Sequence, residues 1–209
     1  MNGRNEYLLI DLQYFANVNW YKKAGQYKYI IINESERHVK MSFRNRLWVA
    51  GADGLLSLSI PVVGSRNEKQ LYKDLRIAPG NWAISHFRTI ESCYNRSPWF
   101  EHYRDELAAL YATPFTFLWD WNLACHNWLI GQIPSPTLYY LPGNAPREIF
   151  NWLEMDCRNF FRPGNKAEWL QGEPVKYTQV FEDRVGFVPG LSILDLLFCE
   201  GPAAGKWLI

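Results

Sequence analysis

Apolar positions along the chain fall into two kinds of repeat. Tyr7 to Leu12 is a short apolar run, and Tyr27 to Ile32 (YKYIII) is a second, closed by the polar cluster Asn33-Glu34-Ser35-Glu36. Runs of this length bounded by turn residues read as buried strands. Between them, Gln13-Tyr14-Phe15-Ala16 leads into a short helical stretch near Asn17–Ala24. Strand, connection, strand in this order predicts a parallel pair of the α/β type. The polar loop after the first strand stands where such sheets bind ligands, and it reads equally well as an ordinary connection.

The stretch Lys40 to Val63 alternates differently. Two β-prone runs flank Gly51-Ala52-Asp53-Gly54, which predicts a hairpin over 40–63 within a central mixed sheet. Successive strand residues point to opposite faces. One face of the first strand then carries Met41, Phe43, Asn45, Leu47 and Val49, and the other Lys40, Ser42, Arg44, Arg46 and Trp48. Tyr72–Ile77 and Tyr177–Phe181 read as further short strands, and Leu138–Leu141 as another.

From Trp82 onward the spacing is helical. At about 100° per residue, Trp82, Ala83, His86, Phe87, Ile90, Cys93 and Tyr94 share one arc of roughly 140°. Ser85, Arg88, Glu91, Ser92 and Asn95 take the other side. Ser97-Pro98 and Thr113-Pro114 read as the starts of two more helices, a Ser or Thr cap followed by Pro at the first helical position. The third helix groups Phe115, Leu118, Trp119, Asn122, Cys125, His126, Leu129 and Ile130. Residues 81–131 thus form a helical layer or subdomain within a single 1–209 domain. Pro134, Pro136, Pro142 and Pro146 break up the segment that follows, with a helix near Arg147–Met155 and a turn at Pro163-Gly164-Asn165. The final helix opens at Leu191–Asp195, where Ser192 and Asp195 nearly make a capping box, and Gly201-Pro202 stops it.

Composition narrows the functional classes. With 48% hydrophobic and 16% aromatic residues, including ten Trp, the chain can bury a sizeable core. A formal net charge of +1 supplies no global field for nucleic acid or a membrane surface, so any anion recognition is local. No apolar run approaches a signal peptide or a membrane span. The four cysteines are far apart and fit no zinc spacing, which points to reduced thiols in a cytoplasmic protein. Phosphate-binding Gly-rich loops, the G-x-S-x-G elbow, H-E-x-x-H and the dinucleotide fingerprint are all missing from the sequence.

Several side chains are then candidates for chemistry, each with a plainer role beside it. Lys40, Arg44 and Arg46 on one strand face form an anion clamp, or a solvated face that guards the sheet against aggregation. Asn45 faces the packed side and needs hydrogen-bond partners or costs ~1–3 kcal/mol. His86, amid an apolar stripe with Trp82 and Tyr94, is a general acid or base or a hydrogen-bonded core residue. Asn122 and His126 invite the same two readings, and Asp195 is a catalytic carboxylate or a first-turn acid of the helix. Gln179 alternates with Tyr177 and Phe181 and so faces inward. No local cluster offers enough ligands for a metal, and no cofactor is indicated.

The order of these motifs resembles the WbqC-like family. The resemblance rests on Lys40-x-Ser42-Phe43-Arg44-Asn45-Arg46 followed by Leu56-Ser57-Leu58-Ser59-Ile60-Pro61-Val62. It rests also on Trp82-x-x-x-His86, Ile90-Glu91-Ser92-x-Tyr94, Ser97-Pro98-Trp99-Phe100-Glu101 and Asp120-Trp121-Asn122. Tyr177-x-Gln179-x-Phe181 and Gly186 to Phe198 complete it, so it spans nearly the whole chain from Gln13-Tyr14-Phe15 to Gly201. Ser35, Gly190 and Cys199 depart from the family pattern. The resemblance implies an α/β fold and a bacterial setting among surface-polysaccharide loci such as those for O-antigen. It implies no particular reaction.

On this reading a transferase-type enzyme holds a phosphate- or carboxylate-bearing or nucleotide-linked small molecule. Lys40, Arg44 and Arg46 hold its anion, Asn45 orients the strand, His86 moves the proton, Gln13 and Gln179 make polar contacts, and Trp82 and Tyr94 form walls. The competing reading is a non-catalytic binding or assembly module with a protein partner or a second copy of itself.

Overall fold

The computed structural model describes residues 5–33, 36–64, 70–133, 138–140, 153–172 and 174–208. β1 (Asn5–Ile10), α1 (Val18–Ala24) and β2 (Tyr27–Ile32) form the expected unit, with β1 and β2 parallel and Leu8 opposite Ile30. Asn17 caps α1 by accepting from the Trp20 N–H at 2.9 Å, as a short polar side chain at a helix N-terminus does. Two more strands, β5 (Leu138–Tyr140) and β6 (Leu153–Asp156), extend the sheet to the order β5-β2-β1-β6, all parallel. Alternation along the strands sends Leu8, Ile10, Ile30 and Ile32 into the main core, and Leu9 and Ile31 into a small cluster on the other face.

The hairpin forms, but apart from this sheet. β3 (Arg46–Gly51) and β4 (Gly54–Ser59) make a two-stranded antiparallel ribbon of their own, closed by Ala52-Asp53. Gly54 sits at φ +113, a conformation that only glycine adopts without strain. The first strand begins at Arg46, not Lys40. Ser42 Oγ donates to the Val39 carbonyl at 2.8 Å and accepts from the Arg44 N–H at 3.4 Å. Such local bonds compete with a strand ladder, and Met41 turns through φ +52 beside them. Lys40, Arg44 and Arg46 therefore share no strand face.

The helical layer is present as α2 (Trp82–Tyr94), α3 (Phe100–Ala112) and α4 (Leu118–Gln132). The α2 stripe is the buried one: His86, Ile90, Cys93 and Tyr94 are buried, and Trp82, Ala83 and Phe87 are half-buried against the core. The two predicted caps do other work. Ser97 Oγ donates to the Tyr94 carbonyl at 2.7 Å, closing α2, and Thr113 Oγ1 donates back to Ala109 at 3.0 Å. α3 and α4 accordingly begin two to four residues later than the Pro signals suggest, at Phe100 and Leu118.

Further segments depart from expectation. Tyr72–Asp74 is a single 3₁₀ turn, after which Arg76 and Ile77 make isolated bridges to Phe117 and Val62. Tyr177–Phe181 is no strand, because Gln179 uses its amide to bond the Val188 backbone in both directions, at 3.0 and 2.8 Å. Leu153–Met155, expected at the end of a helix, is part of β6; the rest of that expected helix, and Leu141, lie outside the described residues. Short helices α5 (Lys166–Trp169) and α6 (Glu182–Val185) lead to α7 (Ile193–Glu200). α7 runs through the core with every residue from Ile193 to Phe198 at 0% exposure. Ser192 caps it, accepting from the Leu194 N–H at 3.3 Å and donating to the Phe15 carbonyl at 2.7 Å.

Gly201 ends α7 at φ +57, and a Cβ there would lie 2.3 Å from the Trp99 ring. Gly201→Ala thus combines backbone strain with a clash. Urea unfolding is expected to show a loss of roughly 1–3 kcal/mol; wild-type stability in this variant would refute the packing described.

Candidate functional site

The chain leaves β1 toward β2 and β5 on one side, while β6 lies on the other side of β1. This reversal opens a crevice beyond the strands' carboxyl ends, where ligands bind in sheets of this kind. A cleft of about 550 Å³ lies there, lined by Asn33, Glu36, Arg37 and Val39 after β2 and by Asp156, Arg158 and Asn159 at and after β6.

Beneath it runs a buried polar network. Asp11, directly after β1, is 1% exposed, and Arg44 is 0% exposed. The Arg44 guanidinium pairs with Glu36 and lies 3.6 Å from Asp11, while it also donates to Asn159 Oδ1 at 3.1 Å and to the Arg37 carbonyl at 2.7 Å. Its plane covers the Tyr72 ring at 4.8 Å, a cation–π contact. Asp11 in turn accepts from the Asn159 N–H at 2.9 Å and from Gln13 Nε2 at 3.0 Å. Burial raises the Glu36 carboxyl pKa, a shift that Arg44 opposes. Burial alone would lower the Arg44 pKa, but Asp11 and Glu36 more than offset it, and the guanidinium is held more firmly protonated.

Backbone strain gathers in the same segments. Phe15 (φ 37) follows β1, Met41 (φ 52) precedes Arg44, and Asn159 (φ 59) follows β6. These are the non-glycine residues at positive φ among those described. Strain of this kind persists only where the surroundings over-determine it, and it clusters at functional sites.

Of the residues expected at a site, Arg44 and Gln13 belong to this network. Arg44 is neutralised within it rather than presented as a free anion clamp. Arg46, on the hairpin, donates to Ser59 Oγ at 3.1 Å, and Lys40 is exposed on a bend; neither lines the cleft. Asn45 donates to the Ile60 carbonyl at 2.9 Å and accepts from the Ile60 N–H at 2.8 Å, closing the open end of the hairpin. Gln179 clamps the 177–188 segment as described above. Trp82 lines a separate groove of about 410 Å³ with Pro79, Tyr111 and Phe115.

His86 is enclosed. Its Nδ1 shares a hydrogen bond with the Tyr14 hydroxyl at 3.1 Å, its ring stacks on Tyr14, and Tyr14 is bonded to Tyr111. Desolvation lowers its pKa from 6.5 to about 4, against a weaker upward pull from a bond to the Ser59 backbone. His126 repeats the arrangement with Tyr21, at 3.1 Å and stacked, and burial lowers it to about 4 as well. Both are neutral imidazoles of the core near pH 7. Tyr94 and Tyr177 donate to the two oxygens of Asp195, each at 2.7 Å, and Tyr94 also accepts from the Ala50 N–H at 3.1 Å. Asp195 thus joins α7 to α2, β3 and the 177–188 segment. Burial raises its pKa from 3.8 to about 6, although Tyr177, Tyr94 and Gln179 favour the ionised form.

Asp11, Glu36, Arg37, Arg158 and Asn159 are absent from the sequence-based candidates. Two of them carried a signal: Asp11 is a carboxylate placed immediately after a buried strand, and Glu36 ends the polar cluster after the next. Arg158 and Asn159 carry none, because the pattern before them predicts a helix near Arg147–Met155 where the structure has β6. Among the described residues no group of three or more His, Cys, Asp or Glu side chains is placed to hold a metal ion. Nor is any helix among the described residues long and apolar enough to cross a membrane. All four cysteines are free, three of them buried.

Two outcomes follow from these environments. Removing the Arg44 charge leaves Asp11 and Glu36 buried without their cation, so Arg44→Met is expected to cost about 3–5 kcal/mol in urea unfolding; a loss below about 1 kcal/mol would contradict the network. The second concerns pH. Between about 4 and 6.5 the unfolded chain protonates histidines that His86 and His126 keep neutral, so stability falls as pH falls through that window. Asp195 has the opposite sign. Its folded carboxyl keeps a proton that the unfolded chain releases above 3.8, so its contribution is lost as pH rises toward about 6. Glu36, also raised, acts in the same sense. Asp195→Asn removes one opposing group and should steepen the fall on acidification by roughly 1.4 kcal/mol per pH unit. Urea unfolding across that window checks this, and an unchanged slope would discard Asp195 as the opposing group.

Comparison with known proteins agrees with the order of motifs along the chain. A curated relative, "Uncharacterized protein Rv1507c" of Mycobacterium tuberculosis (strain ATCC 25618 / H37Rv), is 25% identical over 209 residues, covering 85% of this chain and 86% of that protein. No solved structure matches the chain at a significant level. Residues 13–134 and 139–207 match the WbqC-like protein family, a span that includes the hairpin, the helical layer and α7. The chain belongs to the WbqC-like protein family.

Proposed function

We propose that this protein is a transferase-type enzyme of surface-polysaccharide or related biosynthesis that holds a small phosphate- or carboxylate-bearing metabolite in the cleft beyond β1, β2 and β6. One observation carries the reading: a polar cleft at the point where strand order reverses, floored by the buried Asp11–Arg44–Glu36 network. A small-molecule site needs a few fixed polar groups on a rigid frame, and the network supplies them from three separate segments. Arg37 at the rim is exposed and its side chain has no partner among the described residues, which leaves its fork for an anion. Glu36 is the buried carboxyl on the wall where acid–base chemistry would act. The enclosed His86 is a packing residue in this reading. The biosynthetic setting comes from the family resemblance alone.

A second reading, an assembly module, draws on a different face. Leu56 on the hairpin and Ile84 on α2 are 39% and 55% exposed and line a groove of about 700 Å³ with Cys93 and Phe181. Apolar side chains gathered at a groove suit a protein partner.

Thermal-shift screening of nucleotide sugars, sugar phosphates and acyl donors separates the two. A ligand at about 100 times its Kd adds about 2.7 kcal/mol. The expected result is a stabilising anionic ligand whose effect is lost in Arg37→Ala and kept in Arg46→Ala. Loss in Arg46→Ala but not in Arg37→Ala would move the site to the hairpin.

A further inference from the structure

The cleft has an internal charge asymmetry. Asp11 and Glu36 share one buried guanidinium, Arg44, so the network beneath the cleft carries a formal net charge of −1 when both acids are ionised. Arg158 and Asp156 at the rim cancel each other, with Arg158 donating to both Asp156 oxygens at 3.0 and 2.6 Å. Arg37, which lines the same cleft, leaves the described rim residues with a formal charge of +1. The inner charge is also unsatisfied. Glu36 is 8% exposed, one of its oxygens binds Arg44, and the other, Oε1, is buried with no hydrogen-bond partner among the described residues. A buried carboxylate oxygen left unpaired is costly, and Glu36 is one of the residues that line the cleft.

We propose that the cleft recognises a zwitterion: a primary ammonium on Glu36 Oε1 and a phosphate or carboxylate on Arg37. This rests on the cleft being the ligand site, and it names the ligand class within that site. An ammonium brings both the missing donor and the compensating charge, whereas a hydroxyl brings only the donor. Aminosugar phosphates and amino-bearing acids are ligands of this class. Arg44 keeps the Glu36 carboxylate oriented from behind and, at 0% exposure and outside the cleft lining, does not reach the ligand anion.

The test uses two probes that differ in one group, D-glucosamine 6-phosphate and D-glucose 6-phosphate. They are titrated into the full chain while the backbone amide signals of Glu36, Arg37 and Asn159 are followed by NMR. The amine probe is expected to move these signals and to bind about tenfold or more tightly than the hydroxyl probe, as one charge-assisted contact allows. Glu36→Gln should bring the two affinities within about twofold, while Arg37→Ala should weaken both probes alike. If Glu36→Gln does not fold, the ratio measured on the unaltered protein decides. Equal affinity for the two probes at these residues would overturn the zwitterion and leave the cleft as an anion site. No signal change at these residues with either probe would overturn both the zwitterion and the cleft as the site for sugar phosphates.

Discussion

A single buried guanidinium governs how the parts of this molecule meet. Arg44 sits below the carboxyl end of β1 with no exposure, tied to Glu36 after β2, to Asp11 after β1 and to Asn159 after β6. A buried cation is tolerable only when its donors are met by fixed acceptors, so these segments are obliged to converge. The Arg44 backbone extends the constraint to the helical layer, since its carbonyl accepts from Asn122 Nδ2 of α4 at 2.6 Å. Asn122 is also bonded to Tyr72, whose ring lies under the guanidinium and whose hydroxyl donates to the Leu12 carbonyl at 3.1 Å. The hairpin, the sheet and α4 are therefore docked through one polar assembly, and the cleft lies on its open side.

A second assembly does for the other half of the core what Arg44 does for the first. Asp195, on the fully buried α7, receives a hydroxyl from α2 and another from the 177–188 segment, and Tyr94 carries the link on to β3. The two assemblies differ in chemistry. Arg44 lies among carboxylates that hold it charged, whereas Asp195 lies among neutral donors and sheds charge by keeping its proton more readily than usual. The paired Tyr–His stacks, Tyr14 with His86 and Tyr21 with His126, solve the same problem with neutral imidazoles. Polar side chains thus specify the packing of a core this rich in aromatics through bonds to partners from distant elements. At the cleft, Glu36 Oε1 is a buried carboxylate oxygen with no such bond among the described residues.

Local pattern settled the elements whose environment repeats along the chain. The parallel β1–β2 pair, the inward stripe of α2, the hairpin turn and the cap at Ser192 were all legible, because periodicity and turn chemistry are set by neighbours in sequence. The α/β class and the family followed from the same features. Alternation misled at residues 40–45, where Ser42 and the pull of buried carboxylates on Arg44 replace a strand ladder. It misled again at Tyr177–Phe181, where the Gln179 amide takes the place of a neighbouring strand. The Pro-based helix starts failed because Ser97 and Thr113 spend their hydroxyls on the preceding helix.

What the sequence could not assign was which polar residues face each other. Arg44 and His86 looked alike as candidates, each polar within a patterned run, yet one braces two residues of a cleft wall, Glu36 and Asn159, and the other is enclosed by aromatic side chains. That distinction depends on strand order, since β6 returning to the far side of β1 brings Arg158 and Asn159 opposite Glu36 and Arg37. Burial and pairing are properties of segments more than a hundred residues apart in the chain, as the 148 positions between Asp11 and Asn159 illustrate. The sequence by itself determined the β1–β2 unit, the hairpin turn, the buried stripe of α2, the cap of α7 and the family. The tertiary structure alone decided where charge is compensated and where a carboxylate oxygen is left without a partner.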